Sequence, residues 1–92
     1  MKLSAWKHSY SSPLYFYREY RQQGRYWAIY RLIFIPSQYK VAIQKGFSNE
    51  VFSQKVSTQN KNTPTNIFKN WLLENVEELK YANRIDKLKK VI

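Results

Sequence analysis

Leu14-Tyr-Phe-Tyr-Arg-Glu-Tyr-Arg21 and, beyond Gln22-Gln-Gly24, Arg25-Tyr-Trp-Ala-Ile-Tyr-Arg-Leu-Ile-Phe-Ile35 are the stretches whose reading decides the fold. Both are dense in aromatic and β-branched residues, which fit a pleated, half-buried surface. The glycine-bearing break between them has the length of a hairpin connection. Further turn signals stand at Pro36-Ser37 and Gly46. They divide the first sixty residues into four strands, roughly 14–21, 25–35, 39–45 and 50–57. No connection is long enough for a parallel crossover, so the strands form an antiparallel meander.

Outward from this sheet the character of the chain changes. Residues 1–13 are polar and irregular, and are expected to form an arm pinned by Trp6. Gln59-Asn60-Lys61-Asn62 is a polar linker, and Thr63-Pro64 reads as an N-cap followed by proline in the first helical turn. Ile67, Phe68, Trp71, Leu72, Val76 and Leu79 then recur at three- and four-residue steps, the spacing of an amphipathic helix. The pattern continues weakly through Ala82, Ile85, Leu88 and Ile92. Either one helix runs to the end, or a break near Asn83 starts a second. The expected fold is α+β: a four-stranded antiparallel meander with a C-terminal amphipathic helix, one domain over residues 14–92.

Turn lengths assign the faces of the sheet, because a one-residue slip exchanges inside for outside. A two-residue Pro36-Ser37 turn pairs Phe34 with Tyr39, Leu32 with Val41 and Tyr30 with Ile43, making one apolar face for the helix. A three-residue Gln22-Gln23-Gly24 loop pairs Arg21 with Arg25 and puts Tyr17 beside Ile29. The opposite face then carries Tyr15, Tyr17, Arg21, Arg25, Trp27, Arg31 and Lys40, along with Ile29 and Ile33. Arg18 falls on the core side in this register, an unusual place for a guanidinium.

The charge balance sets that outer face apart. Sixteen Lys+Arg against six Asp+Glu give +10 in 92 residues, with 43% hydrophobic and 17% aromatic residues to build a core. Through Asn49 there are eight basic residues and one acid, Glu19, for +7; the remainder holds eight basic and five acidic residues, for +3. The positive field therefore coincides with the aromatic half. Guanidinium groups neutralise phosphate and stack on planes, and flat rings accept unpaired bases. This combination is the physical type of a base-stacking platform, although no RNP-type motif, GXXG loop or zinc-knuckle spacing is present.

Other chemistries find little support. There is no cysteine, which removes thiolate metal sites and cysteine nucleophiles. His8 is the sole histidine and cannot build a metal site alone. Glu74, Glu77 and Glu78 suit a solvated helix stripe, and the basic cluster Arg84, Lys87, Lys89 and Lys90 suits the helix C-terminus. Only Gly24 and Gly46 occur, so no glycine-rich phosphate loop exists. Arg25, Tyr26, Tyr30 and Arg31 are the residue types of small toxin ribonucleases, but match no toxin motif.

The expectation is a non-catalytic protein without cofactor or metal that binds RNA or single-stranded DNA through the seven outer-face residues. The alternative is a small interaction or inhibitor protein for an acidic partner, of a size that would suit a phage or mobile element. A homodimer through the sheet face is a further expectation, from Trp27, Ile29 and Ile33. The start of the chain has no apolar run like that of a signal peptide, and Arg31-Leu-Ile-Phe-Ile35 is too short to span a bilayer, so a cytoplasmic location without membrane contact is expected.

Overall fold

Alternating side chains and short turns fold the first half of the chain into consecutive antiparallel strands. The computed structural model describes residues 1–24, 27–47 and 49–91. Its strands are β1 (Lys7–Ser9), β2 (Tyr15–Gln22), β3 (Ala28–Ile35), β4 (Lys40–Lys45) and β5 (Asn49–Lys55), in the spatial order β1-β2-β3-β4-β5. The sheet thus has five strands, not the expected four. The extra strand comes from the segment expected to be an irregular arm, with Lys7, His8 and Ser9 opposite Tyr17, Phe16 and Tyr15. Its three residues carry no legible alternation; backbone pairing along the open edge of β2 orders them. Upstream, the Ser4 amide donates to the Glu19 carbonyl (2.9 Å), and the Glu19 amide donates to Ser4 Oγ (2.8 Å).

Both expected hairpin registers are displaced, by even numbers of residues. Ile35 pairs with Lys40, because Pro36–Gln38 form a 3-10 turn and Tyr39 closes it at φ 48°. β2 ends opposite Ala28 at Gln22, so Tyr17 pairs with Ile33 where Ile29 was expected, and Arg21 pairs with Ile29 where Arg25 was expected. Even displacements leave the paired residues of β2, β3 and β4 on their expected faces. Tyr30, Leu32, Phe34, Val41 and Ile43 form the sheet side of the core.

Two helices follow the sheet, the broken alternative of the two that the periodicity allowed. α1 (Asn62–Asn75) seats Phe68, Leu72 and Val76 against that apolar face, all three fully or almost fully buried. Its first turn begins at Asn62, before the expected Thr63 cap, with the Asn62 amide donating to Asn60 Oδ1 (2.8 Å). Pro64 is tolerated within the first turn, where amides have no intrahelical acceptor. The break falls at Val76, which is extended (φ −91°, ψ 117°), and not near Asn83. Val76 keeps its side chain in the core while α2 (Glu77–Val91) starts in a new direction. Leu79 still packs on the core cluster, whereas Tyr81 and Leu88 are exposed.

Arg18, expected on the core side, is there and is satisfied. Its Nε donates to the Ser4 carbonyl (3.0 Å), its Nη1 to Thr65 Oγ1 (3.1 Å), and its guanidinium lies 5.2 Å from the Trp6 ring centroid. One side chain thereby ties the N-terminal segment, β2 and α1 together. Burial pulls its pKa below the ordinary arginine value.

Candidate nucleic-acid interface

Side chains alternate across a strand, so the face opposite the helices takes the residues that the core does not. From β1 to β5 it comprises Lys7 and Ser9; Tyr15, Tyr17, Glu19 and Arg21; Ile29, Arg31, Ile33 and Ile35; Lys40, Ala42 and Gln44; then Glu50, Ser53 and Lys55. Neither helix covers it. Between the levels of Ile29 and Ile35 it spans about 20 Å along β3, at roughly 3.3 Å per residue.

The expected site residues divide between its two ends. Tyr15 and Tyr17 are half-buried neighbours with ring centroids 6.1 Å apart, tilted by 48°. Lys40 is half-buried toward the same end and pairs across the strands with exposed Lys55. Arg21 and Trp27 lie at the other end, both exposed. Arg25 lies outside the described residues.

Arg31, at the centre, is held on several sides. Its guanidinium carbon is 4.8 Å from the centroid of Tyr17 and 5.5 Å from that of Phe47, and its Nη2 meets Glu19 Oε2 at 3.5 Å. Its Nε is buried and has no hydrogen-bond partner. Glu19, buried on the same face, neutralises it. Arg31 therefore orders the rings around it, and the other cations of this face among the described residues are Lys7, Arg21, Lys40 and Lys55.

Lys40 and Lys55 form a like-charge cross-strand pair, an arrangement that is destabilising unless something neutralises it. Lys55 Nζ donates to the Gln38 carbonyl (3.2 Å), which satisfies one donor and leaves the charge. Of the residues expected to pair two copies, Trp27 is exposed, Ile33 half-buried and Ile29 buried.

Three participants escaped the sequence reading. Lys7 lies on the unforeseen strand β1. Lys55 follows from alternation along β5 once Lys40 is placed opposite it. Phe47 follows Gly46 in a turn, where no periodicity applies, yet it is 72% exposed and reaches back over Arg31. Phe47, Trp27, Ile29, Lys45 and Asn49 line a cleft of about 470 Å³ at one end of the face.

Other constellations disperse. Tyr30 is buried among core residues while Arg31 is on the outer face, so the pair named for ribonuclease chemistry stands on opposite sides of β3; Arg25 and Tyr26 lie outside the described residues. His8 stacks on Phe16, centroids 5.7 Å apart, and its Nε2 is 3.1 Å from the Tyr10 hydroxyl. A second cleft of about 570 Å³, lined in part by Lys2, Glu19, Tyr20, Arg21 and Glu78, carries two carboxylates and two cations. Within it, burial first, and then the charge of Glu78 and the neighbouring Tyr30, push the Tyr20 phenol above its ordinary value. Among the described residues no helix is long and apolar enough to cross a membrane. Comparison with family models, curated proteins and solved structures yields no match.

Proposed function

We propose that this protein is a non-catalytic binder of single-stranded nucleic acid, RNA or DNA, acting in the cytoplasm through the outer face of its sheet. The observation that carries this reading is that face itself: no helix covers it, and it offers Tyr15, Tyr17 and Trp27 among Lys7, Arg21, Lys40 and Lys55. Rings stack on bases without demanding a sequence, and cations track the backbone. A phosphate between Lys40 and Lys55 would relieve their mutual repulsion. Arg31 acts as a positioning residue under the rings.

An acidic protein partner is the second reading, because a carboxylate could answer the Lys40–Lys55 pair as well as a phosphate. Fluorescence anisotropy with labelled single-stranded and duplex oligonucleotides, repeated over a salt series, separates the two. Binding should favour single strands, and log K should fall against log[salt] by about 0.7 per phosphate contacted. Absence of binding to every oligonucleotide at low ionic strength would defeat the proposal and favour the acidic protein.

A further inference from the structure

Lys80, Arg84 and Lys87 of α2 are exposed, and steps of four and three residues put them in one row along the helix. With half-buried Asn83 they share a cleft of about 240 Å³ with Leu73 and Glu74 of α1. Three cations thus converge on one carboxylate, yet among the described residues the sole ion pair is that of Arg31 with Glu19. Glu77 precedes Lys80 by one turn and does not pair with it. At about 100° per residue, Asp86 lies about 100° or more round α2 from each of the three. None of the lining residues belongs to the sheet. Leu73 and Glu74 lie about 100° or more round α1 from Phe68 and Leu72, which face the sheet. The cleft therefore opens on the helical layer, with the sheet between it and the outer face.

We infer that this basic row is a second contact for a phosphate backbone, separate from the outer face, so that one molecule holds two nucleic-acid segments at once. The inference rests on the nucleic-acid reading and deepens it, from a single binding face to a bridge between strands. Lys80 to Lys87 span about 10.5 Å at 1.5 Å per residue, the reach of about three phosphates of a stacked strand at 3.4 Å each. A guanidinium between two ammonium groups supplies forked and single donors to such oxygens. The Asn83 amide adds another donor. No ring lines the cleft, and exposed Tyr81 and Leu88 lie outside it, so no base finds a stacking surface there. Its volume also falls below the roughly 300–1,000 Å³ of small-ligand sites. The lining suits a repeated anion, recognised without regard to sequence.

The test mixes donor- and acceptor-labelled single strands of about eight nucleotides, without complementarity, at low salt. Limiting wild-type protein should bring the two labels together, and excess protein should separate them as each strand finds its own molecule. Titration should reach two strands per molecule. The log–log salt slope of the second step should be about −2, three contacts at about 0.7 each. Lys80→Gln/Arg84→Gln/Lys87→Gln, shown folded by thermal melts, should bind one strand and give no energy transfer. Lys2→Gln/Lys61→Gln/Lys69→Gln removes the same charge elsewhere and should still bridge. Leu88→Ser should also bridge; its failure would show that two protein copies paired through α2 carry the strands, and would overturn the inference. So would displacement of the second strand by polyglutamate as readily as by an unlabelled oligonucleotide of equal charge, which would assign the cleft to an acidic protein. One strand on wild type, or two on the α2 triple variant, would refute the bridge and leave the outer-face reading standing. If no strand binds at low salt, both readings fall together.

Discussion

Arg31 and Glu19 meet directly across β2 and β3, their charged atoms 3.5 Å apart on the face that carries no helix. The pair consumes the most central positive charge of the supposed phosphate surface. It also leaves a neutral centre, where the Tyr17 and Phe47 rings lie over the Arg31 guanidinium.

Arg31 should therefore matter to stability more than to ionic attraction. Arg31→Met would leave the buried Glu19 carboxylate unpaired and should cost about 2 kcal/mol, reduced from the fully buried case because the arginine is partly solvated. Adding Glu19→Gln should return part of the loss, and urea unfolding of the four proteins of this cycle measures the coupling. An additive result would show that the two side chains act independently.

Lys40 and Lys55 should behave in the opposite way. Lys40→Ala removes one half of a like-charge pair, so stability should hold or rise by a few tenths of a kcal/mol. Its salt slope on single-stranded oligonucleotides should shrink by about 0.7. An unchanged slope would remove Lys40 from the interface.

The helix side should tolerate far less. Phe68 is fully buried between sheet and α1, and Phe68→Ala should cost about 3–5 kcal/mol by denaturant titration. Trp71, half-buried with its ring 5.7 Å from that of Tyr30, should cost less on truncation, about 2–3 kcal/mol. The reverse order would mean that the core is centred nearer Trp71.

Tyr20 should make the fold sensitive to alkali. Its phenol is harder to ionise in the folded protein than in the unfolded chain, chiefly through burial and then through Glu78. Stability is unaffected by this group while both states keep the proton. It falls once the pH passes about 10, where the unfolded chain ionises first, and levels off above the folded-state value. Tyr20→Phe should flatten this part of the stability–pH curve; a curve parallel to wild type would exclude Tyr20 as its source.

Tyr39 is a non-glycine residue at φ 48°, closing the turn after Pro36. Tyr39→Asn, which tolerates that conformation better, should raise stability by about 0.5–1 kcal/mol. A loss would show that the Tyr39 ring contributes more than its backbone costs.

The two faces were legible in the sequence because parity survives an error in turn length. Pro36–Tyr39 and the connection from Gln22 to Ala28 are each two residues longer than the turn signals suggest, and neither discrepancy inverts a strand. Strand β1 was not legible, since its order comes from pairing with an edge and not from its own side chains. The break at Val76 was hidden because valine there continues the apolar periodicity and stays in the core. Phe47 and the neutralisation of Arg31 depend on which strands become neighbours, which no local pattern encodes.

The β5 edge has a consequence for how the molecule behaves in concentrated solution. A strand of this length with one side unpaired is a template on which another chain could grow. The irregularity opposite Ile43 and Gln44 interrupts its repeat, leaving Val51 exposed outside the regular pairing, and Glu50 and Lys55 place a charge near each end. Deleting Val51 would straighten the edge and bring its hydrogen-bonding groups into an unbroken row. The interruption thus breaks the row of groups on which a second chain would have to pair, in a chain whose net charge vanishes only near pH 10.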